Sequence, residues 1–135
     1  LPSDRERLMV SIRGGELGGQ GLQPLAERYG RFLGWERAGG AVMVRFEDLV
    51  GPEGGGSEEA QRLAVGRVAM HLGVPVEERT IGLVGESLFG AGRTFRKGQI
   101  GGWREEFTAE HEQALEEAAG PLLAELGYQE AGHDR

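Results

Sequence analysis

Ala41-Val42-Met43-Val44-Arg45-Phe46 is the stretch on which the fold reading turns. It is short, apolar and rich in β-branched residues. Helical patterns lie on both sides of it, so it reads as a buried, parallel β-strand. Glu47-Asp48-Leu49 follows at its C-terminal end, the edge of an open α/β sheet where ligands bind. One strand cannot make an isolated sheet. The reading therefore calls for a sheet supplied by another segment, or for a mostly helical fold with one docked strand.

Upstream, Ser3 or Asp4 is placed to cap a helix running to about Ile12 and stopped by Gly14-Gly15. The glycine-rich residues up to Gly21 read as a loop. Leu22, Leu25, Ala26, Tyr29, Phe32 and Leu33 recur at helical spacing, with Phe32 and Trp35 expected in the core. Downstream, Gly51–Gly56 is a flexible connection, and Ser57 caps a helix whose expected buried stripe is Ala60, Leu63, Ala64, Val68 and Leu72. Ile81, Val84 and Leu88 suggest a further short helix. Thr108 caps the last one, and Pro121 is expected to kink or split it.

The 135 residues suit one ordinary domain. A net charge of −7 argues against broad binding to nucleic acid or anionic membrane, which needs a basic face. There is no cysteine, hence no disulfide and no thiol-based metal site. His71, His111 and His133 are isolated and show no ligand spacing, so no metal is expected. No apolar run approaches the ~20 residues that span a bilayer. A cytoplasmic location is the expectation. The chain starts at Leu1 without an initiator methionine, which suggests a processed product or a piece of something longer.

Against this acidic background stands Arg96-Lys97-Gly98-Gln99-Ile100-Gly101-Gly102-Trp103-Arg104-Glu105-Glu106-Phe107-Thr108. Lys97 is the one lysine among 15 basic residues. A loop with this mix presents backbone N–H groups and fixed positive charge to a compact anion, most naturally phosphate. Arg96 offers bidentate contacts, Lys97 a point charge, and Gly98 close backbone approach. Read alone, a cation cluster of this kind is a solvated surface, and Arg93 and Arg104 are read so. Glu47-Asp48 could be a catalytic pair or metal ligands; ordering the turn after the strand is the reading preferred, since neighbours on a strand point to opposite faces.

That stretch resembles the signature R-K-G-x-x-G-D-W-K-x-x-F-T of the cytosolic-type sulfotransferases. Val44-Arg45-Phe46-Glu47-Asp48-Leu49 resembles the family's V-x-R-Y-E-D-L strand, with His71-Leu72-Gly73 and Leu126-Gly127-Tyr128 at matching spacing. The resemblance is strongest over residues 42–128. It implies the C-terminal part of a P-loop-type, three-layer α/β sulfotransferase fold, mostly helical here with one parallel strand, as a partial domain over residues 1–135. It implies a sulfuryl transfer from 3′-phosphoadenosine 5′-phosphosulfate (PAPS), the co-substrate, to a hydroxyl or amine of a small-molecule acceptor. Arg96, Lys97 and Gly98 would hold the 3′-phosphate and Trp103 would support the loop. Ser87 and Phe89 would lie near the adenine.

Gly102 stands where the family has Asp, and Arg104 where Lys is common. The family's Y-P-K-S-G-T-T-W phosphosulfate loop has no counterpart. Gly14–Gly21 contains Glu16 and no following Lys-Ser/Thr, so it fails as a phosphate loop. The catalytic residues would lie in that missing N-terminal half, or the fold would be completed by a second chain. The chain alone is then expected to be inactive. A non-catalytic nucleotide- or anion-binding or protein-interaction module is the alternative.

Overall fold

A computed structural model describes residues 2–92 and 96–128. In chain order the elements are α1 (Asp4–Arg13), β1 (Gly15–Leu17), β2 (Gln20–Leu22), α2 (Leu25–Arg37), α3 (Phe46–Leu49), α4 (Glu58–His71), α5 (Glu78–Leu88) and α6 (Ala109–Glu125). Short 3-10 turns occupy Pro52–Gly54 and Gly102–Glu105. The chain divides into two compact units, residues 1–37 with 107–135, and residues 38–106.

The first unit is a helical cluster around α6. Ser3 caps α1 through a reciprocal box with Glu6: the Ser3 Oγ accepts from the Glu6 N–H, and the Glu6 carboxylate accepts from the Ser3 N–H at 2.7 Å. α1 and α2 both pack on α6. Small residues at Ala114 and Ala119 let the helices close, and Ile12 and Leu33 fill the interior with them. Ion pairs Arg5–Glu110 and Arg13–Glu117 advance together along α1 and α6, so these two helices run parallel. Arg37–Glu125 joins α2 to α6 at their C-terminal ends.

His111 is the largest side chain fully buried in this unit. The Thr108 N–H donates to its Nδ1 at 3.1 Å, which places the ring proton on Nε2, 3.3 Å from the Arg5 carbonyl. A buried imidazole thus completes the cap of α6 and also bonds α1. α6 continues through Pro121 as one helix rather than splitting there. The preceding residue is Gly120, whose missing Cβ removes one of the clashes that proline makes in a helix.

The glycine-rich segment after α1 is not a loop but an antiparallel hairpin. Leu17 pairs with Gln20 across Gly18-Gly19, both at positive φ (60° and 81°), the turn geometry that matches strand twist.

The second unit contains α3, α4 and α5. Ser57 caps α4 by accepting from the Ala60 N–H at 3.2 Å. The buried face of α4 is Gln61, Ala64 and Val65, whereas Leu63 is 63% exposed and Leu72 also lies open. Gln61 takes the central place because its carboxamide is satisfied there. Its Nε2 donates to the Leu49 carbonyl at 2.9 Å and the Gly85 carbonyl at 3.0 Å, tying the end of α3 and the middle of α5 to α4. Arg62 adds a fork onto Glu78, with Nε 2.9 Å from its carboxylate.

The expected α/β architecture is overturned. Among the described residues, the β1–β2 pair is the sheet present, it is antiparallel, and it lies in the first unit. Residues 41–45 form no ladder. Among the described residues no neighbouring strand meets them, and an apolar, β-branched composition cannot supply the missing partner. The Met43 carbonyl instead accepts from Arg67 Nη2 at 3.0 Å. Arg45 is extended (φ −83°, ψ 146°), and α3 begins at Phe46, inside the stretch expected to be strand. The protein is mostly helical and has no three-layer sheet core among its described residues. Phe32 and Trp35, expected in the core, lie 58% and 69% exposed, stacked edge to face along α2.

Candidate functional site

Residues 96–106 of the second unit form a loop closed on itself by a 3-10 turn. The Gly102 N–H donates to the Gln99 carbonyl at 3.2 Å and the Arg104 N–H to the Gly101 carbonyl at 3.0 Å. Gly101 opens this turn at φ 75°, and Gly98 precedes it at φ 59°. The loop is fastened to the turn at Pro52–Gly54. The Ile100 N–H donates to the Gly54 carbonyl at 2.9 Å, and Gln99 Nε2 to the Glu53 carbonyl at 2.9 Å. This contact requires glycine at position 54, where a Cβ would collide with the Val50 side chain and the Gly98 carbonyl oxygen.

Arg96 and Lys97 project from this fastened loop into solvent and converge. Glu106 Oε1 lies 3.5 Å from Lys97 Nζ and 4.0 Å from Arg96 Nη2. Glu105 Oε2 lies 2.6 Å from Lys97 Nζ. The hydrogen bond from Lys97, with its charge, holds the Glu105 carboxyl below the usual carboxylate range, and the Lys97 ammonium is raised above its ordinary value by the same contact. All four side chains are well exposed, so solvent screens these pairs.

The sequence-predicted ligands Arg96, Lys97 and Gly98 are thus adjacent on one surface. Trp103 lies in the same loop but is 41% exposed, with the Arg104 guanidinium stacked 4.7 Å from its ring centroid. Gly102, where the signature it resembles has Asp, leaves room for a side chain: among the described residues a Cβ there would meet the Gln99 Cβ at 3.8 Å. Arg93 and His133 lie outside the described residues. Ser87 is turned into its own helix, donating to the Val84 carbonyl at 2.7 Å. Phe89 lines a cavity of about 230 Å³ with Val50, Pro52, Glu53 and Gln61. Glu47 and Asp48 occupy the first turn of α3, and no cluster of metal-ligating residues forms among the described residues. No helix among them is long and apolar enough to cross a membrane.

Two participants escaped the sequence reading, Glu105 and Glu106. Their position eight and nine residues after Lys97 was visible. The turn that folds them back onto Lys97 was not, because it depends on Gly101 at positive φ. Comparison with protein-family models, curated proteins and solved structures finds no match to the chain.

Proposed function

We propose that the loop at residues 96–106 binds a phosphate group of a nucleotide, and that the nucleotide is PAPS or its product 3′-phosphoadenosine 5′-phosphate, held by its 3′-phosphate. The observation that carries this is Glu106 Oε1, an anionic oxygen held between Lys97 and Arg96. It marks a point within ion-pair distance of both cations, 3.5 Å from Lys97 and 4.0 Å from Arg96, where a compact oxyanion would sit. The donor set fits: a guanidinium, an ammonium and a glycine backbone on a loop pinned by Gln99 and Ile100. The cavity beside Glu53, with Phe89 in its wall, offers an aromatic surface for the base.

On this reading the protein is a component of a sulfotransferase. PAPS would supply the sulfuryl group for a hydroxyl or amine acceptor. The residues of this chain bind and orient the far end of the donor. The groups at the loop are read as holding the donor rather than activating the acceptor, so a further segment or second chain would complete the catalytic site. The resemblance in sequence is what selects sulfuryl transfer over other nucleotide chemistry.

A non-catalytic binding module is the second reading, and the open aromatic row Tyr29, Phe32 and Trp35 favours it, since such a face suits contact with another protein. Calorimetry with 3′-phosphoadenosine 5′-phosphate and with adenosine 5′-phosphate tests the first reading. The bisphosphate should bind at least about tenfold more tightly, the order expected for one charge-assisted contact set. Equal affinity, or no binding of either, contradicts it. Binding that persists in a fully assembled preparation lacking any sulfuryl transfer would favour the second.

A further inference from the structure

The two cations that the proposed site needs are already engaged by carboxylates from the same loop. Lys97 Nζ is within 2.6 Å of Glu105 and 3.5 Å of Glu106, and Glu106 also faces Arg96 at 4.0 Å. Two cations meet two carboxylates, so the cluster is locally neutral as it stands. A phosphate oxygen cannot occupy the point between Arg96 and Lys97 while Glu106 Oε1 is there.

We propose that Glu105 and Glu106 form an autoinhibitory contact, an intramolecular stand-in for the ligand anion that must swing away before phosphate binds. This rests on the reading of the loop as a phosphate site and adds its regulation. Three observations carry it. The carboxylates reach the same atoms that would hold phosphate. They are exposed, with side chains free to turn outward at small cost in packing. Glu105 ends a 3-10 turn and Glu106 caps it, held by backbone bonds from Gly102 to Gln99, Arg104 to Gly101 and Glu106 to Trp103, so release of their side chains need not unfold the loop. Glu105 held below, and Lys97 above, their ordinary values is the expected signature of such a pair.

A built-in competitor lowers affinity by the free energy of the contact it replaces. For exposed pairs that is small, so removing it should tighten binding by about two- to fivefold. The test is titration of 3′-phosphoadenosine 5′-phosphate into the wild-type chain, Glu105→Gln, and Glu105→Gln/Glu106→Gln, followed by calorimetry. Glu105→Ala serves as a second variant that cannot substitute a new hydrogen bond. The wild-type Glu105 carboxyl ¹³C resonance should also move on saturation as it leaves Lys97. Tighter binding in all three variants, with that resonance moving, is the expected result. Unchanged or weaker binding in the variants, while the wild type binds, overturns the autoinhibitory contact and leaves the phosphate site standing. No binding in any of the four proteins removes both.

Discussion

The two units solve the same problem with different interiors. The first, residues 1–37 with 107–135, buries apolar side chains between helices, Ile12 and Leu33 beside Ala114 and Ala119, and among the described residues admits the polar His111, its ring bonded at both nitrogens. The second, residues 38–106, is organised around a carboxamide, Gln61, and around backbone brought close at glycine. The lesson is that an interior can be specified by packing or by hydrogen-bond satisfaction, and that the candidate site grows from the second kind. A loop fastened through the backbone carbonyls of Glu53 and Gly54 is held without using the side chains of Arg96 and Lys97, which lie exposed.

The sharpest way to break this contrast is at Gly54. Gly54→Ala forces a Cβ against Val50 and the Gly98 carbonyl, and should destabilise the second unit by about 3 kcal/mol, the upper end for overpacking. Denaturant unfolding would show it, and resonances of residues 96–106 should broaden or move. A wild-type midpoint would mean that the fastening at Gly54 is not what orders the loop.

Next is the interior of the first unit. His111→Leu keeps the volume but leaves the Thr108 N–H and the Arg5 carbonyl without the ring, and should cost about 2 kcal/mol. A loss confined to the first unit, read by hydrogen exchange of α1 and α6, supports the separation of the two interiors. Gln61→Leu is the matching change in the second unit. It removes the donor that Gln61 supplies to the Leu49 and Gly85 carbonyls and should cost about 1–2 kcal/mol despite being more apolar. Stabilisation by this leucine would contradict the claim that satisfaction, not apolarity, holds that unit.

The smallest effect concerns pH. Glu110 is held below the usual carboxylate range by its hydrogen bond to Arg5, and Glu117 by Gln113 and then Arg13. A depressed carboxylate stabilises the fold above its unfolded value, and that contribution is lost as pH falls through the lower, folded value. Thermal stability of the first unit should therefore slip slightly as acid takes the solution below the ordinary carboxylate range. Added salt should blunt the change, because these pairs are exposed.

Capping chemistry made much of the fold legible. Ser3, Ser57 and Thr108 announced the starts of α1, α4 and α6, because a side chain that satisfies an orphan N–H acts locally. Strand pairing is not local, and Val42-Met43-Val44 was misread because apolar, β-branched character states a preference without naming a partner. Gly18-Gly19 between Leu17 and Leu22 carried a usable hairpin signal that the surrounding glycines masked. Burial along α4 was misassigned in part, Ala64 being buried as expected, for a related reason. Leu63 and Leu72 fit a helical stripe, yet the inward face is set by Gln61, which no hydrophobic pattern selects. At the site Lys97 was legible as the one lysine of the chain, and Arg96 through the resemblance of its stretch to the sulfotransferase signature. Their carboxylate partners were not, because a turn rather than a periodicity brings them back.

The central claim, that Arg96 and Lys97 hold a nucleotide phosphate, is tested most directly by an amide ¹H–¹⁵N titration with 3′-phosphoadenosine 5′-phosphate, which detects binding even at millimolar affinity. The account predicts saturable shifts centred on residues 96–106 in the wild type, lost in Arg96→Ala/Lys97→Ala. Absence of shifts there, or the same shifts in the double variant, would contradict it.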